Sequence, residues 1–556
     1  MRGQMQHQPL RIIDILTFAA EAYAAQGVTS VLDTGTRHRQ TYPETLSRVG
    51  QLAHALNKLG LKPGDRVATL AWNTHRHFEL YYAISGIGAV CHTINPRLST
   101  DQMSFIFNHA EDRAIFVDPS LLPVLDKVRD ALPHLETVIV MGDRHDMPKS
   151  RPDLLSYEEL VAEEPTDFDW PLWPEETAAG LCYTSGTTGD PKGALYSHRS
   201  TVLHTLMALA GHPQSLVAGK AVLPVVPLFH VNAWGLPFTA PLAGMEMVMP
   251  GPHLDGPSLY ALMAREEVYS AWGVPTVWAG LLSEIEAQGR PPEGFANVVI
   301  GGSAAPQSMI ADFENMGIEV NQAWGMTEMS PIGSRGLLPP DMQEASPDER
   351  VDAKIGAGRR LFGVDFKLVG DGGVPMPHNG NSIGELYVRG NAVISGYYNN
   401  PEATARTLDP EGWFATGDMA SVDPRGRLII RDRSKDLVKS GGEWISSIDL
   451  ENTAVAHPNV AACAVIAVPH PKWDERPLLV VVPAGAHRVT LEEMRQHLSG
   501  QFAPWQCPDD VVFVEVLPMT ATGKVSKLTL REKFADYVLP ELRNTQDPQS
   551  KDQTQP

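Results

Sequence analysis

Short apolar runs alternate with amphipathic stretches along most of the chain. Residues 67–70, 114–117 and 137–140 are short, mostly apolar and rich in β-branched side chains, the pattern of strands buried on both faces. Residues 10–25, 42–59 and 78–87 carry apolar side chains at helical spacing and predict helices. Strand and helix signals in alternation imply α/β layers around buried, largely parallel sheets. The chain shows no internal repeat.

The pattern changes character near Arg431-Asp432-Arg433-Ser434-Lys435-Asp436, where charge and nearby glycine concentrate. A new strand-and-helix series follows at 445–457, 460–468, 478–482, 491–502 and 511–516. It describes a small α+β domain of about a hundred residues, within the usual size of an independent domain. The boundary falls at the Arg433–Lys435 turn. The expected layout is therefore a large N-terminal α/β domain of several subdomains over 1–433 and a small α+β C-terminal domain over 434–543. Residues 544–556 are polar, carry Gln, Asp and Pro, and predict a disordered tail.

Composition adds exclusions. A chain of 556 residues is too long for one compact core. Hydrophobic content of 43% and charged content of 20% are those of a soluble globular protein. A net charge of −21 argues against nucleic acid as a partner and against attraction to anionic lipid. Cys91, Cys182, Cys463 and Cys507 have neither metal-ligand nor redox spacing and read as reduced structural thiols. Asp14 interrupts the apolar N-terminal stretch, and no run is long enough to span a bilayer. A cytoplasmic protein is the expectation.

The candidate chemistry begins at Tyr183-Thr184-Ser185-Gly186-Thr187-Thr188-Gly189-Asp190-Pro191-Lys192-Gly193. This stretch holds three glycines, four Ser/Thr hydroxyls and one lysine. Small residues let backbone N–H groups approach an anion closely, hydroxyls add donors, and lysine adds a point charge. Such clusters also mark plain surface loops. Apolar residues 178–182 and 194–196 flank this one, so the loop is expected to join two strands. It is not a Walker phosphate loop, because Gly193 follows Lys192 where that motif needs Ser or Thr.

The order Thr-Ser-Gly-Thr-Thr-Gly-x-Pro-Lys-Gly resembles the phosphate loop of adenylate-forming enzymes, which include acyl-CoA synthetases, luciferases and peptide-synthetase adenylation domains. Further segments match that family in order. They are Gly301-Gly302-Ser303-Ala304-Ala305-Pro306, Asn321-Gln322-Ala323-Trp324-Gly325-Met326-Thr327-Glu328, Thr416-Gly417-Asp418, Arg433-Ser434-Lys435-Asp436-Leu437-Val438-Lys439-Ser440-Gly441-Gly442-Glu443, and Thr520-Ala521-Thr522-Gly523-Lys524. Taken singly, Trp324 is a core residue, Glu328 a surface charge, and Lys524 a surface lysine. Their agreement in order from Thr184 to Lys524 reverses those separate readings.

The resemblance implies ATP, Mg²⁺ and coenzyme A. It places Thr184, Ser185, Gly186, Thr187, Thr188, Gly189 and Lys192 on phosphate, and Gly302, Ser303, Ala304, Gln322, Ala323, Trp324 and Gly325 around adenine. The family's usual adenine-stacking aromatic is tyrosine; an indole stacks as well. Thr327 would lie near the α-phosphate, and Glu328 with Thr184 on Mg²⁺. Asp418 and Arg433 would bind ribose. Lys524 would act on the attacking carboxylate. Lys435 would be the pivot of a mobile C-terminal domain. Lys439, Gly441, Gly442 and Trp444 would approach adenylate and pantetheine.

Residues 221–238 read as a buried strand and a following helix. Within them, Pro-Leu-Phe-His-Val-Asn-Ala-Trp-Gly resembles bacterial long- and medium-chain fatty acyl-CoA synthetases. That implies His230 beside the carboxylate, with Val231 and Trp234 at the acyl tunnel and Trp234 as its gate. The subgroup also includes homodimers. The activity implied is ATP-dependent ligation of a carboxylic acid, a medium- or long-chain fatty acid, to coenzyme A. Short sulfur-containing or aromatic acids remain open. So do a stand-alone adenylation enzyme for a carrier protein, a luciferase-like oxygenase and a nucleotide-binding regulator without turnover.

Overall fold

The computed structural model describes residues 1–543 except 2, 185–189, 340, 341, 343, 442 and 521–523. The expected tail and five phosphate-loop residues, Ser185, Gly186, Thr187, Thr188 and Gly189, lie outside the described residues, as does Gly442.

Three sheets organise the chain. The first has seven strands in the order Leu155–Ser156, Thr137–Val140, Ala114–Val117, Arg66–Leu70, Val90–Thr93, Ala178–Tyr183, Gly193–Ser197. All its pairings are parallel except the last. Its central strands are buried on both faces, as their apolar runs require. Helix Tyr42–Lys58 shows how the helices form. Thr41 and Glu44 close a capping box at its start, and Thr45, Val49, Leu52, Ala53 and Leu56 make the buried stripe. Burying Leu52 or Leu56 contributes roughly 1.5–3 kcal/mol each.

The second sheet has thirteen strands and is only half parallel. Gly27–Val31, Glu246–Met249, Ala221–Pro224, Val268–Gly273, Asn297–Gly301 and Glu319–Gly325 run parallel. From Ile332–Gly336 onward every pairing is antiparallel. The expectation of largely parallel sheets fails there for a local reason. Phe414–Val422 and Arg427–Arg433 are joined by a tight turn at Asp423-Pro424-Arg425-Gly426, which only antiparallel strands permit. Residues 231–234 also depart from the helix read for them. Val231, Asn232, Ala233 and Trp234 all have positive φ, between 45° and 58°, and helix Leu236–Ala243 starts after them.

The third sheet takes Val438–Ser440, Glu443–Ile445, Val460–His470, Asp474–Pro483 and Asp510–Phe513, packed against helices Ser447–Ala454 and Leu491–Leu498. Sheet membership changes between Arg433 and Val438. The small sheet's unit is tied to the large one. Ser446 Oγ donates to the Arg431 carbonyl at 2.6 Å, and the Ser447 amide donates to Asp432 Oδ2 at 2.7 Å. No described helix is long and apolar enough to cross a membrane.

Candidate active site

The parallel strands of the large sheet end together, and ligands of open α/β sheets sit outside such carboxyl ends. Most of the described residues singled out by sequence gather there, beside the hairpin of the first sheet.

Tyr183 and Gly193 are cross-strand partners at the mouth of that hairpin. The Thr184 amide donates to the Lys192 carbonyl at 2.9 Å, and the Lys192 amide donates to Thr184 Oγ1 at 3.2 Å. Thr184 and Lys192, on either side of the glycine-rich residues, are thus tied to each other across the mouth of the hairpin. Lys192 Nζ stands 5.2 Å from the centre of the Tyr397 ring. Tyr397 in turn donates its hydroxyl proton to Glu328 Oε1 at 2.7 Å. Tyr196 donates to the Thr327 carbonyl at 2.6 Å. Thr184, Lys192, Thr327 and Glu328 therefore converge through two tyrosines that sequence reasoning missed.

Glu328 is buried, and burial raises its carboxyl pKa; Tyr397, Arg433 and Lys192 work in the opposite direction. A buried carboxylate and a threonine hydroxyl are hard oxygen donors, and a divalent cation would offset the cost of keeping that carboxylate charged. The residues fit Mg²⁺. The other acid-rich grouping that could hold a metal among the described residues, Asp143, His145 and Asp146, contains neither Glu328 nor Thr184.

The nucleotide side is built on strand Glu319–Gly325. Trp324 is edge-on to Phe366 with ring centres 5.8 Å apart, and its indole N–H donates to Asp418 Oδ2 at 2.9 Å. Arg433 Nε reaches Asp418 Oδ1 at 2.8 Å. Asp418 and Arg433 face each other across adjacent strands, and Asp418 is the main cause of the raised Arg433 pKa. A carboxylate has about four acceptor positions, so Asp418 retains capacity for hydroxyls. Gly302, Ser303 and Ala304 are exposed at the mouth, after strand Asn297–Gly301. Gln322 is buried instead. Its Oε1 accepts from the Ala305 amide at 3.2 Å and its Nε2 donates to the Lys354 carbonyl at 2.8 Å, so it braces the turn. Gly325 packs against the chain at Pro331, where a Cβ would lie 2.0 Å from the carbonyl oxygen.

Lys524 enters from the small domain. Its Cε lies 3.6 Å from where a Cβ on Gly302 would stand. Burial lowers its pKa to about 8, with Arg433 adding to the shift and Asp418 opposing it. Burial, aided by Lys524, lowers the His230 pKa to about 3, so that imidazole is neutral at pH 7. Trp234 is 7% exposed, and its indole lies against Gly301 and Gly302. A Cβ on Gly301 would be 2.9 Å from its Cη2. Val231 is buried beside it. Ala323 is the cross-strand partner of Gly301 and shares this wall.

The remaining predicted residues stand apart from that cluster. Lys435 is exposed in the turn after strand Arg427–Arg433, and Ser434 donates both its amide and its hydroxyl to the Gly417 carbonyl. Lys439 Nζ covers the exposed Trp444 ring at 4.6 Å, and the Gly441 amide donates to the Trp473 carbonyl at 2.9 Å. The Lys439–Trp444 and Gly441–Trp473 contacts are internal to the small domain.

The profile of the AMP-binding enzyme family matches residues 18–398, and that of its C-terminal domain matches residues 449–524. A 3-methylmercaptopropionyl-CoA ligase of Ruegeria lacuscaerulensis is 48% identical over 96% of this chain and 99% of its own length. A medium-chain-fatty-acid–CoA ligase of Ectopseudomonas oleovorans is 45% identical over 97% of this chain and 98% of its own. The solved structure of an anthranilate CoA ligase in complex with anthranoyl-AMP superposes with a TM-score of 0.83, covering 97% of this chain and 100% of that one, at 23% identity. That last likeness concerns the fold alone. The chain belongs to the AMP-binding enzyme family.

Proposed function

We propose that the protein joins a medium-chain aliphatic acid to coenzyme A, with ATP, in two half-reactions at one site. The class of activity, an AMP-forming acid–thiol ligase, is shared by the relatives that match nearly the whole chain. In the first half-reaction a carboxylate oxygen attacks the α-phosphorus of ATP, and pyrophosphate leaves. In the second, the thiol of coenzyme A attacks the acyl carbon, its proton is lost, and AMP leaves.

The observation that carries this reading is the half-buried Lys524 side chain against Gly302, within electrostatic reach of Asp418, Arg433 and His230. A carboxylate and a triphosphate are both anions, and negative charge grows on phosphorus in the transition state. An ammonium held in a site poor in water stabilises that charge. Binding of the anions keeps Lys524 protonated. Thr184 and Lys192 would hold the outer phosphates, and Thr327 the α-phosphate. Glu328 and Thr184 would hold Mg²⁺, which supplies charge neutralisation on the phosphates. Trp324 and Asp418, joined by a hydrogen bond, would take adenine and ribose together.

For the second half-reaction the small domain turns about Lys435. That motion would exchange Lys524 for Lys439, Gly441, Gly442 and Trp444; in the orientation described here Lys439 covers Trp444 and Gly441 bonds Trp473, all within the small domain. Rotation about a few element-terminal residues is an ordinary mode of closure. Trp234, seated on Gly301, would bound the acyl channel. A short thioether acid is the second reading, favoured by the 48% identical relative. The test is pyrophosphate release and product mass across propionate to palmitate, benzoate and 3-methylthiopropionate. A maximum in kcat/KM between hexanoate and decanoate is expected. A maximum at the thioether acid selects the second reading, and no acid-dependent release defeats both.

A further inference from the structure

The face of the large sheet on which Trp234 lies does not stay apolar. Gly301, Val299 and Asn297 alternate onto it from one strand, and Ala323 and Asn321 from the next. Register pairs Gly301 with Ala323, Val299 with Asn321, and Ala323 with Arg335. On the other flank, Trp272 pairs with Val299 and Ser270 with Asn297. The segment after helix His198–Gly211 covers this floor. Ser215 Oγ donates to Asn297 Oδ1 at 2.6 Å, and the His212 ring centre is 5.1 Å from that of Trp272.

Four buried polar atoms on this floor have no hydrogen-bond partner among the described residues: His212 Nε2, Asn297 Nδ2, Asn321 Oδ1 and Arg335 Nη1. His212, Asn297 and Asn321 are at most 1% exposed. Each such group is costly to bury without a partner. Their chemistry is mixed. The Ala208 carbonyl, 3.2 Å away, fixes the proton of His212 on Nδ1, which leaves Nε2 as an acceptor. Arg335 and the Asn297 amide are donors. Arg335 has Arg359, another cation, as a cross-strand neighbour. Its pKa is lowered by burial and by Arg359. An oxygen-bearing ligand group would satisfy a cation so placed.

Strand spacing sets the distance. Arg335 lies two strands from Gly301, and Asn321 one strand across and two residues down, so the polar floor begins on the order of 8–10 Å from the glycine under Trp234. That is within reach of the far end of a medium-length acid whose carboxylate sits at His230 and Lys524.

We propose that the acyl site ends in a polar floor made by Arg335, Asn321, Asn297 and His212. It selects acids whose far end carries an acceptor oxygen, as a hydroxyl, a carbonyl or a second carboxylate. The proposal rests on the acid–thiol ligase reading above. It places a substrate oxygen on Arg335 Nη1 and the Asn297 amide, with His212 Nε2 and Asn321 Oδ1 taking the hydrogen of a hydroxyl.

The test measures kcat/KM of the intact enzyme for matched acids: octanoate, 8-hydroxyoctanoate and octanedioate, and the same series at six carbons. At one chain length or the other, an oxygenated acid should exceed its alkyl counterpart at least tenfold. A larger gain for the diacid assigns the effect to Arg335, and a larger gain for the hydroxy acid assigns it to the asparagines and His212. In Arg335→Met and Asn321→Val the ratio of oxygenated to alkyl acid should fall toward one. Alkyl acids equal to or better than every oxygenated partner in the wild type would overturn the proposal, with buried water as the partner of these groups. That result leaves the ligase reading intact, whereas no turnover of any acid defeats that reading itself. The wild-type comparison needs no variant to fold.

Discussion

Gly301→Ala probes the contact between Trp234 and the sheet. A Cβ at position 301 would stand 2.9 Å from the Ala323 carbonyl oxygen and 2.9 Å and 3.2 Å from Cη2 and Cζ3 of Trp234. The carbonyl belongs to a paired neighbouring strand and has little freedom. The indole tip is the mobile partner, so it must retreat by a few tenths of an ångström or more. Inserting a methyl into a packed site of this kind costs roughly 1–3 kcal/mol. We expect a stability loss of that size and a changed acid profile. The KM for ATP, measured with the preferred acid, should stay within about twofold, since a twofold change is only about 0.4 kcal/mol. The assay is pyrophosphate release across the fatty acid series for wild type, Gly301→Ala, Trp234→Ala and the double variant. Removing the indole should relieve its share of the clash and leave the carbonyl contact, so the double variant should be more stable than the sum of the two changes predicts by about 1 kcal/mol. Strict additivity together with an unchanged acid profile would refute the placement of Trp234 on the acyl wall.

Lys524→Ala should slow adenylate formation at least about a hundredfold and leave thioester formation from synthetic acyl-AMP largely intact; equal loss in both steps would contradict the assignment. With its pKa near 8, Lys524 is mostly charged at pH 7 and loses its proton as pH rises through 8. The kcat/KM of pyrophosphate release should therefore fall above about pH 8 in wild type, and this limb should vanish in Lys524→Ala. Glu328→Ala should weaken the Mg²⁺ dependence of pyrophosphate release far more than it weakens AMP binding by calorimetry; an unchanged Mg²⁺ profile removes its metal role. Lys435→Pro should retain exchange of labelled pyrophosphate into ATP while acyl transfer to coenzyme A collapses, because proline fixes φ at the expected pivot. Unimpaired transfer would mean that Lys435 is not the pivot.

Much of the architecture was legible from local pattern. Residues 114–117 and 137–140 are strands with the expected bounds, and helix Tyr42–Lys58 matches the stretch read for it to within one residue. The hairpin around the phosphate loop was legible because apolar runs flank small polar residues. The antiparallel half of the large sheet was not, since its strands carry the same alternating signal and only the turn at 423–426 distinguishes their direction. Residues 231–234 were read as right-handed helix. Four consecutive left-handed residues cost roughly 1–2 kcal/mol each, so packing decides their conformation. Of the site, sequence motifs named the residues but not their couplings. Tyr397 is 69 residues from the Glu328 it hydrogen-bonds, and Asp418 is 94 residues from Trp324. Gln322 looked like a nucleotide contact by position, yet its amide is used at both ends to brace the chain. The polar floor was equally hidden, because single Asn and His residues in apolar strands and helices carry no motif.

A two-step ligation passes through a bound acyl adenylate before any thioester forms. The most direct measurement is a single turnover of purified enzyme with MgATP and octanoate, quenched before and after addition of coenzyme A and resolved by mass. Octanoyl-AMP and one equivalent of pyrophosphate are expected before coenzyme A is added, then octanoyl-CoA and AMP afterwards. ADP with inorganic phosphate, or thioester formed with no adenylate preceding it, would rule out this two-step ligation.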